Sequence, residues 1–257
     1  MKNLDWHNIK AAVWRPHSEK LKAISRLDPV TLDSLIGIEQ QKQALLDNTL
    51  RFINGEPSNH ALLWGSRGTG KSSLIKALLN AFADRGLRMI QIDKDQLHWL
   101  PEILDDLEDR PFRFIIFCDD LSFEMGENSY KSLKTLLEGG LELPPEHVRI
   151  YATSNRRHLM PELQAENQLS KVVGDEVHYT DSLEDKLALS DRFGLWLSFY
   201  PASWDSYLSM VEVLFENITV DRQRLHEMAK QFAMSRASHS GRTAVHFYKS
   251  WLADNAD

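Results

Sequence analysis

Gly65-Ser66-Arg67-Gly68-Thr69-Gly70-Lys71-Ser72 fits the phosphate-binding pattern G-x-x-x-x-G-K-[ST] at every fixed position. Before it, His60-Ala61-Leu62-Leu63-Trp64 is a short apolar run that reads as a buried strand. After it, Leu74, Ile75, Leu78, Leu79 and Phe82 recur at helical spacing. A strand, a glycine loop and a helix N-terminus bring successive backbone N–H groups onto one anion, and the helix dipole favours its charge. Gly65, Ser66, Arg67, Gly68, Thr69, Gly70, Lys71, Ser72 and Ser73 are therefore the expected phosphate cradle. Lys71 would reach the β- and γ-phosphates, and Ser72 would bind Mg²⁺. The plainer alternative is a glycine-rich turn joining a strand to a helix.

The composition suits a folded domain with ample core: 257 residues, 42 % hydrophobic and 26 % charged. No apolar run approaches a membrane span, and Met1-Lys2-Asn3-Leu4-Asp5 is not a signal core. A cytoplasmic protein with no membrane partner is expected. Cys118 is the only cysteine, so an intrachain disulfide is ruled out. It sits in the run Phe114-Ile115-Ile116-Phe117-Cys118 and reads as a buried small residue. A net charge of −7 argues against a coat for non-specific nucleic-acid binding and leaves room for a local basic patch.

Residues 1–27 hold Trp6, Trp14 and Pro16 without a clear period. They read as an N-terminal extension packed on the domain, or as a partner-binding arm. A turn-rich stretch over 28–37 leads to a helix over 39–53, stopped at Gly55. Strands are then expected at 61–64, 88–92, 112–118, 148–153 and 195–199. Helices are expected at 71–85, 96–107 (interrupted at Pro101), 128–138 and 183–193. This alternation implies an α/β fold with a five-stranded parallel sheet and helices on both faces. From Pro201 onward only helical periods remain. Leu225, Met228, Ala229, Phe232 and Ala233 form one apolar stripe, and Ala244, Val245, Tyr248, Trp251 and Leu252 another; both read as core. The expected division is an extension at 1–27, an α/β nucleotide-binding domain at 28–200 and a small all-helical lid domain at 201–257.

Phe114-Ile115-Ile116-Phe117-Cys118-Asp119-Asp120 is an apolar strand that ends in two acids. Downstream of a phosphate loop, such acids face the ligand crevice at the carboxyl end of a parallel strand. Asp119 would hold Mg²⁺ through water, and Asp120 would orient or activate the attacking water. Alone, the pair could equally be a strand end meeting solvent.

Taken together, these motifs resemble those of the AAA+ ATPases over residues 28–257. Val148-Arg149-Ile150-Tyr151-Ala152-Thr153-Ser154-Asn155 resembles that family's sensor 1, which implies Asn155 near the γ-phosphate. Ser190-Asp191-Arg192-Phe193-Gly194 resembles its arginine-finger box. Ser240-Gly241-Arg242-Thr243-Ala244 resembles sensor 2, and Leu35-Ile36-Gly37 resembles the loop that packs on adenine. Asp119-Asp120-Leu121-Ser122-Phe123 and Ala152-Thr153-Ser154-Asn155-Arg156-Arg157-His158-Leu159 are similar to a bacterial AAA+ family of unassigned cellular role. The runs Leu62-Leu63-Trp64-Gly65 and Gly241-Arg242 agree with it. The resemblance implies a P-loop NTPase fold, ATP and Mg²⁺ as cofactors, Asp120, Asn155 and Arg192 as catalytic residues, and Ile36, Gly37 and Arg242 as nucleotide contacts. It also implies a homo-oligomer in which Arg192 acts on a neighbour's nucleotide.

The chain departs from the family's Asp-Glu pair at Asp119-Asp120. Asp120 reaches about one methylene less, which bears on water positioning; Glu124 is a candidate substitute, and Asp120 is preferred. Arg192 could also be a surface charge at a helix end. Asn155 could merely cap the strand exit, and Arg156, Arg157 and His158 could be an ordinary solvated loop.

The expected function is Mg²⁺-dependent ATP binding and hydrolysis, coupled to remodelling or loading of an unknown protein or nucleic-acid client. The alternative is an adaptor or helicase-loader-like switch with little hydrolysis. A GTPase is disfavoured because no Asn-Lys-x-Asp segment occurs. A small-molecule kinase is disfavoured by the sensor-like arginines and the helical C-terminal part.

Overall fold

Two strands precede the first one expected from the sequence. In the computed structural model, which describes residues 4–122, 133, 134, 137, 145–156, 159 and 191–255, β1 (Ala11–Arg15) and β2 (Lys20–Ala23) form an antiparallel hairpin with Trp14 opposite Leu21. Five further strands are β3 (Ala61–Gly65), β4 (Leu87–Gln91), β5 (Arg113–Cys118), β6 (Val148–Ser154) and β7 (Leu195–Phe199). The sheet order is β2-β1-β4-β5-β6-β3-β7, and every pair but β1–β2 is parallel. The expected five-stranded parallel sheet is thus corrected to seven strands, with a hairpin from residues 11–23 on the β4 side. Ala11-Ala12-Val13-Trp14-Arg15 has one β-branched residue, and residues 16–19 separate it from its partner, so neither strand propensity nor a two-residue turn marks it. Burial holds it in place: Trp6 and Trp14 are each 2 % exposed. The Arg88 side chain donates to the Trp6 carbonyl at 2.7 Å and to the Ala83 carbonyl at 2.7 Å.

Both faces of the sheet are covered, which is why its parallel strands read as unbroken apolar runs. Along β5, Phe114, Ile116 and Cys118 enter one core with Trp6, Trp14, Ile103 and Phe193, whereas Ile115 and Phe117 enter the other. That second core holds α1 (Glu39–Asn54) and α2 (Lys71–Phe82). α2 continues into a 3₁₀ turn, Ala83–Arg85, and stops at left-handed Gly86. The helix expected over 96–107 with a break at Pro101 is a 3₁₀ run, Lys94–Trp99, that gives way to α3 (Leu100–Asp105); Pro101 stands in the first turn of α3, where its missing N–H costs nothing. Burial pushes the thiol of fully buried Cys118 well up. Around Tyr151 lies a buried polar cluster: its hydroxyl accepts from Asn48 Nδ2 at 3.0 Å and pairs with Thr49 Oγ1 at 2.9 Å, tying α1 to β6.

After β7 come α4 (Trp204–Leu214), α5 (Arg222–Ser235) and α6 (Gly241–Asp254). Ser203, Asp221 and Ser240 cap them by accepting an amide of the first turn. Their shared core includes Tyr207, Val211, Phe215, Leu225, Ala229 and Phe247. The stripe expected on α6 is rotated from the real one: Val245 and Leu252 are 37 % and 40 % exposed, and Phe247 is buried. The helix expected over 128–138 lies outside the described residues except at 133, 134 and 137, which are helical; that over 183–193 lies outside them up to 190. Among the described residues no helix is long and apolar enough to cross a membrane.

Candidate functional site

β3 delivers the chain into the glycine loop at a point where only glycine fits. Gly65 has φ 132°, and a Cβ there would lie 1.9 Å from the Phe199 carbonyl oxygen of β7. The contact is structural: Gly65 pairs with Phe199, and Ser66 N–H donates to the same carbonyl at 3.1 Å. The loop then turns through Gly68 (φ 77°) and Gly70 (φ 95°), and Thr69 Oγ1 ties it by donating to the Ser66 carbonyl at 2.8 Å. Gly70 stands at the N-cap of α2, where no side chain caps the helix. The first-turn amides of α2 are thus left for an anion.

Lys71 is 7 % exposed. Its ammonium donates to the Gly65 carbonyl at 2.8 Å, the Ser66 carbonyl at 2.6 Å and Asn155 Oδ1 at 3.3 Å. Burial pulls its pKa down to about 8; Asp119 and Asp120 pull it back up, and Arg67 lowers it further. Asn155 in turn donates through Nδ2 to Asp120 Oδ1 at 2.5 Å, so it bridges the lysine and the second acid. Ser72 Oγ donates to Asp119 Oδ1 at 2.6 Å. The structure therefore brings Lys71, Ser72, Asp119, Asp120 and Asn155 together, in two bonded sets (Lys71–Asn155–Asp120 and Ser72–Asp119) that Thr153 joins into one group.

Thr153, on β6, belongs to the same group and is absent from the sequence-derived set. Its hydroxyl donates to Asp119 Oδ1 at 2.5 Å and accepts the Asp120 N–H at 2.9 Å. The available signal is a polar side chain near the end of a buried strand that neighbours the acid-tipped one.

The group opens into a cleft of about 880 Å³. It is lined by Arg67, Gly68, Thr69, Gly70, Ser72 and Ser73 of the loop and α2, by the apolar Leu35, Ile36 and Ile38, and by Met210 of α4 and Arg242 of α6. Gly37 (φ 79°) packs on α4, where a Cβ would lie 3.2 Å from Ser206 Cβ. Gly68 packs on the α6 cap, where a Cβ would lie 3.0 Å from Ser240 Oγ. Arg192 is not among the cleft residues. It is exposed and precedes β7, which runs parallel to β3 with Leu195 beside Ala61 and Phe199 beside Gly65. Arg192 thus precedes the end of β7 that lies beside Ala61, four residues before Gly65. Glu124, Arg157, His158 and Ser190 lie outside the described residues.

Among the described residues no three His, Cys, Asp or Glu side chains stand together to hold a metal unaided. A hydroxyl beside a carboxylate, next to a phosphate cradle, is nevertheless the donor set that suits Mg²⁺, which takes one or two protein oxygens and completes its shell with phosphates and water. The residues present fit the ion and a polyphosphate together.

A family model described as "Protein of unknown function (DUF815)" matches residues 7–255. Among the curated proteins none matches. Among solved structures, a proline-to-glycine mutant of Thermotoga maritima RuvB is similar, with a TM-score of 0.59 and 17 % identity over 87 % of this chain and 65 % of that one. An alanine-to-serine mutant of the same RuvB gives 0.56 and 16 % over 86 % and 64 %. The FIGL-1 AAA domain in complex with ADP gives 0.54 and 17 % over 79 % and 67 %. The chain thus spans about 65 % of the length of the RuvB structure it matches. At these identities the likeness shows the fold alone, that of an AAA domain.

Proposed function

The chain belongs to the DUF815 family and has the AAA+ fold, and from that premise we propose that it binds ATP with Mg²⁺ and hydrolyses it. The observation that carries this reading is the group formed by Lys71, Ser72, Asp119, Asp120 and Asn155 beside the glycine loop, bonded into one through Thr153. Bound Mg²⁺ would supply neutralising charge at the phosphates.

The chain's own residues do the rest. Lys71 turns from the loop carbonyls to the phosphate oxygens, joined by the amides of Gly68 through Ser73. Ser72 and Asp119 hold the metal side. Asp120, oriented by Asn155, takes the water-facing position. Ile36 and Gly37 meet the base, and Arg242 reports the nucleotide from α6. The working parts are the α/β body, 28–200 together with the hairpin of residues 11–23 that extends its sheet, and the helical lid at 201–257, with the cleft between them. Arg192, placed away from its own chain's loop, acts on a neighbouring copy's nucleotide in a homo-oligomer. The client, a protein or a nucleic acid, is remodelled or loaded as the lid moves.

Calorimetric titration with ATP and Mg²⁺ tests the reading. Lys71→Ala weakens binding at least 100-fold; unchanged affinity rejects the assignment. A second reading, a nucleotide-held adaptor with little turnover, is favoured by the short reach of Asp120 and its bond to Asn155. Sustained phosphate release at steady state decides against it.

A further inference from the structure

β5 ends at Cys118, which pairs with Ala152 of β6, so Thr153 stands beside the point where the acid pair leaves the sheet. Three bonds converge on that residue. Its hydroxyl hydrogen goes to Asp119 Oδ1 at 2.5 Å, its hydroxyl oxygen takes the Asp120 amide at 2.9 Å, and its carbonyl takes the Leu121 amide at 2.7 Å. The first two use the hydroxyl as donor and acceptor at once. Asp119 Oδ1 also receives the Ser72 hydroxyl at 2.6 Å, so two neutral donors fix one carboxylate oxygen. Asp120 stands at φ 55°, a left-handed conformation uncommon for residues with a side chain, although aspartate adopts it more readily than most. Thr153 is 2 % exposed, which keeps water from its side of both bonds, whereas Asp119 and Asp120 are themselves exposed.

We propose that Thr153 is a positioning residue that aims both acids at once: through its hydrogen it sets the Asp119 carboxylate for the metal, and through its oxygen it sets the backbone turn that carries Asp120. The inference rests on the ATP and Mg²⁺ reading above. Threonine is the residue type that this geometry needs. Valine has nearly the same shape but offers neither bond, and serine offers both but lacks the methyl. Ser72 reaches Asp119 from the phosphate loop, and Thr153 reaches it from the sheet, so the carboxylate is clamped from two independent elements. Loss of the hydroxyl leaves Asp119 held by Ser72 alone and the Asp120 amide without its partner. The phosphate loop itself is not touched.

The test uses the full chain and a fluorescent ATP analogue, titrated with Mg²⁺ and with EDTA. Thr153→Val keeps its affinity in EDTA within about twofold of wild type, which shows the loop intact. It needs at least tenfold more Mg²⁺ to reach half of the metal-dependent tightening. Thr153→Ser restores the wild-type Mg²⁺ requirement within about threefold. An unchanged Mg²⁺ requirement in Thr153→Val overturns the proposal. So does a Thr153→Ser variant as impaired as the valine, because packing would then be the cause, and so does an equal loss of affinity with and without metal. A wild-type chain that binds no nucleotide overturns the ATP reading, and this one with it. Nucleotide binding with a normal valine variant overturns this one alone.

Discussion

Nucleotide binding should draw a proton onto Lys71. The ammonium is buried beside the loop carbonyls, and burial lowers its pKa from 10.5 to about 8. A triphosphate against it restores the opposite charge and returns the pKa toward or above its ordinary value. The free protein then has Lys71 about 10 % neutral at pH 7, about 50 % at pH 8 and about 90 % at pH 9, and each neutral lysine must take up a proton when the nucleotide binds. Uptake therefore rises from about 0.1 to about 0.9 proton per site over that range, and affinity falls about tenfold, or about 1.4 kcal/mol. Over most of the range the triphosphate is fully ionised and adds no proton of its own. The assay is calorimetry in pairs of buffers with different ionisation enthalpies, since the difference in observed heat counts the protons. Uptake that stays near zero from pH 7 to pH 9, or proton release, refutes the picture of a desolvated lysine waiting for an anion.

Arg192→Ala should leave ATP affinity within about twofold and lower turnover about 10³-fold if the residue completes a neighbour's site; wild-type turnover per chain that does not change with protein concentration counts against that role. His60 gives a pH signature of its own, because its ring accepts the Ile150 N–H through Nδ1 at 2.9 Å and burial lowers its pKa to about 4, with Arg149 adding to the effect. The unfolded chain binds a proton below about 6.5 that the folded chain refuses, so stability falls as pH drops from about 6.5 to about 4, by about 2 kcal/mol between pH 7 and pH 5. Urea unfolding of His60→Asn, which keeps an acceptor but does not titrate, should show that much less acid sensitivity, and an identical slope in the two proteins would exclude His60 as the cause.

The parts of the fold legible in the sequence are those where a local rule coincides with the global one. β3, β5 and β6 are buried on both faces, so continuous apolar runs betray them, and Gly65 to Ser72 announces the turn into α2. The hairpin β1–β2 is illegible because its strands are made by long-range burial of Trp6, Trp14 and Leu21, not by propensity. The α6 stripe misleads because Val245 faces the cleft and Phe247 the core. Within the candidate site, Lys71, Ser72 and the acid pair follow from spacing. Thr153 does not, because its part depends on the register of β6 against β5, which no pattern in either strand specifies.

The hairpin also settles what the sheet shows to its surroundings on that side. Every residue of β4 from Leu87 to Ile90 is buried, and such a strand at a margin would offer an apolar, hydrogen-bond-hungry template to any other extended chain. The hairpin hands the margin to β2 instead: four residues long, with Lys20 and Lys22 exposed. Short length and outward lysines are the means by which open sheets discourage strand-by-strand accretion. A chain trimmed to begin at residue 28 would lose that guard, and the first symptom would be loss of solubility, before any change in nucleotide chemistry.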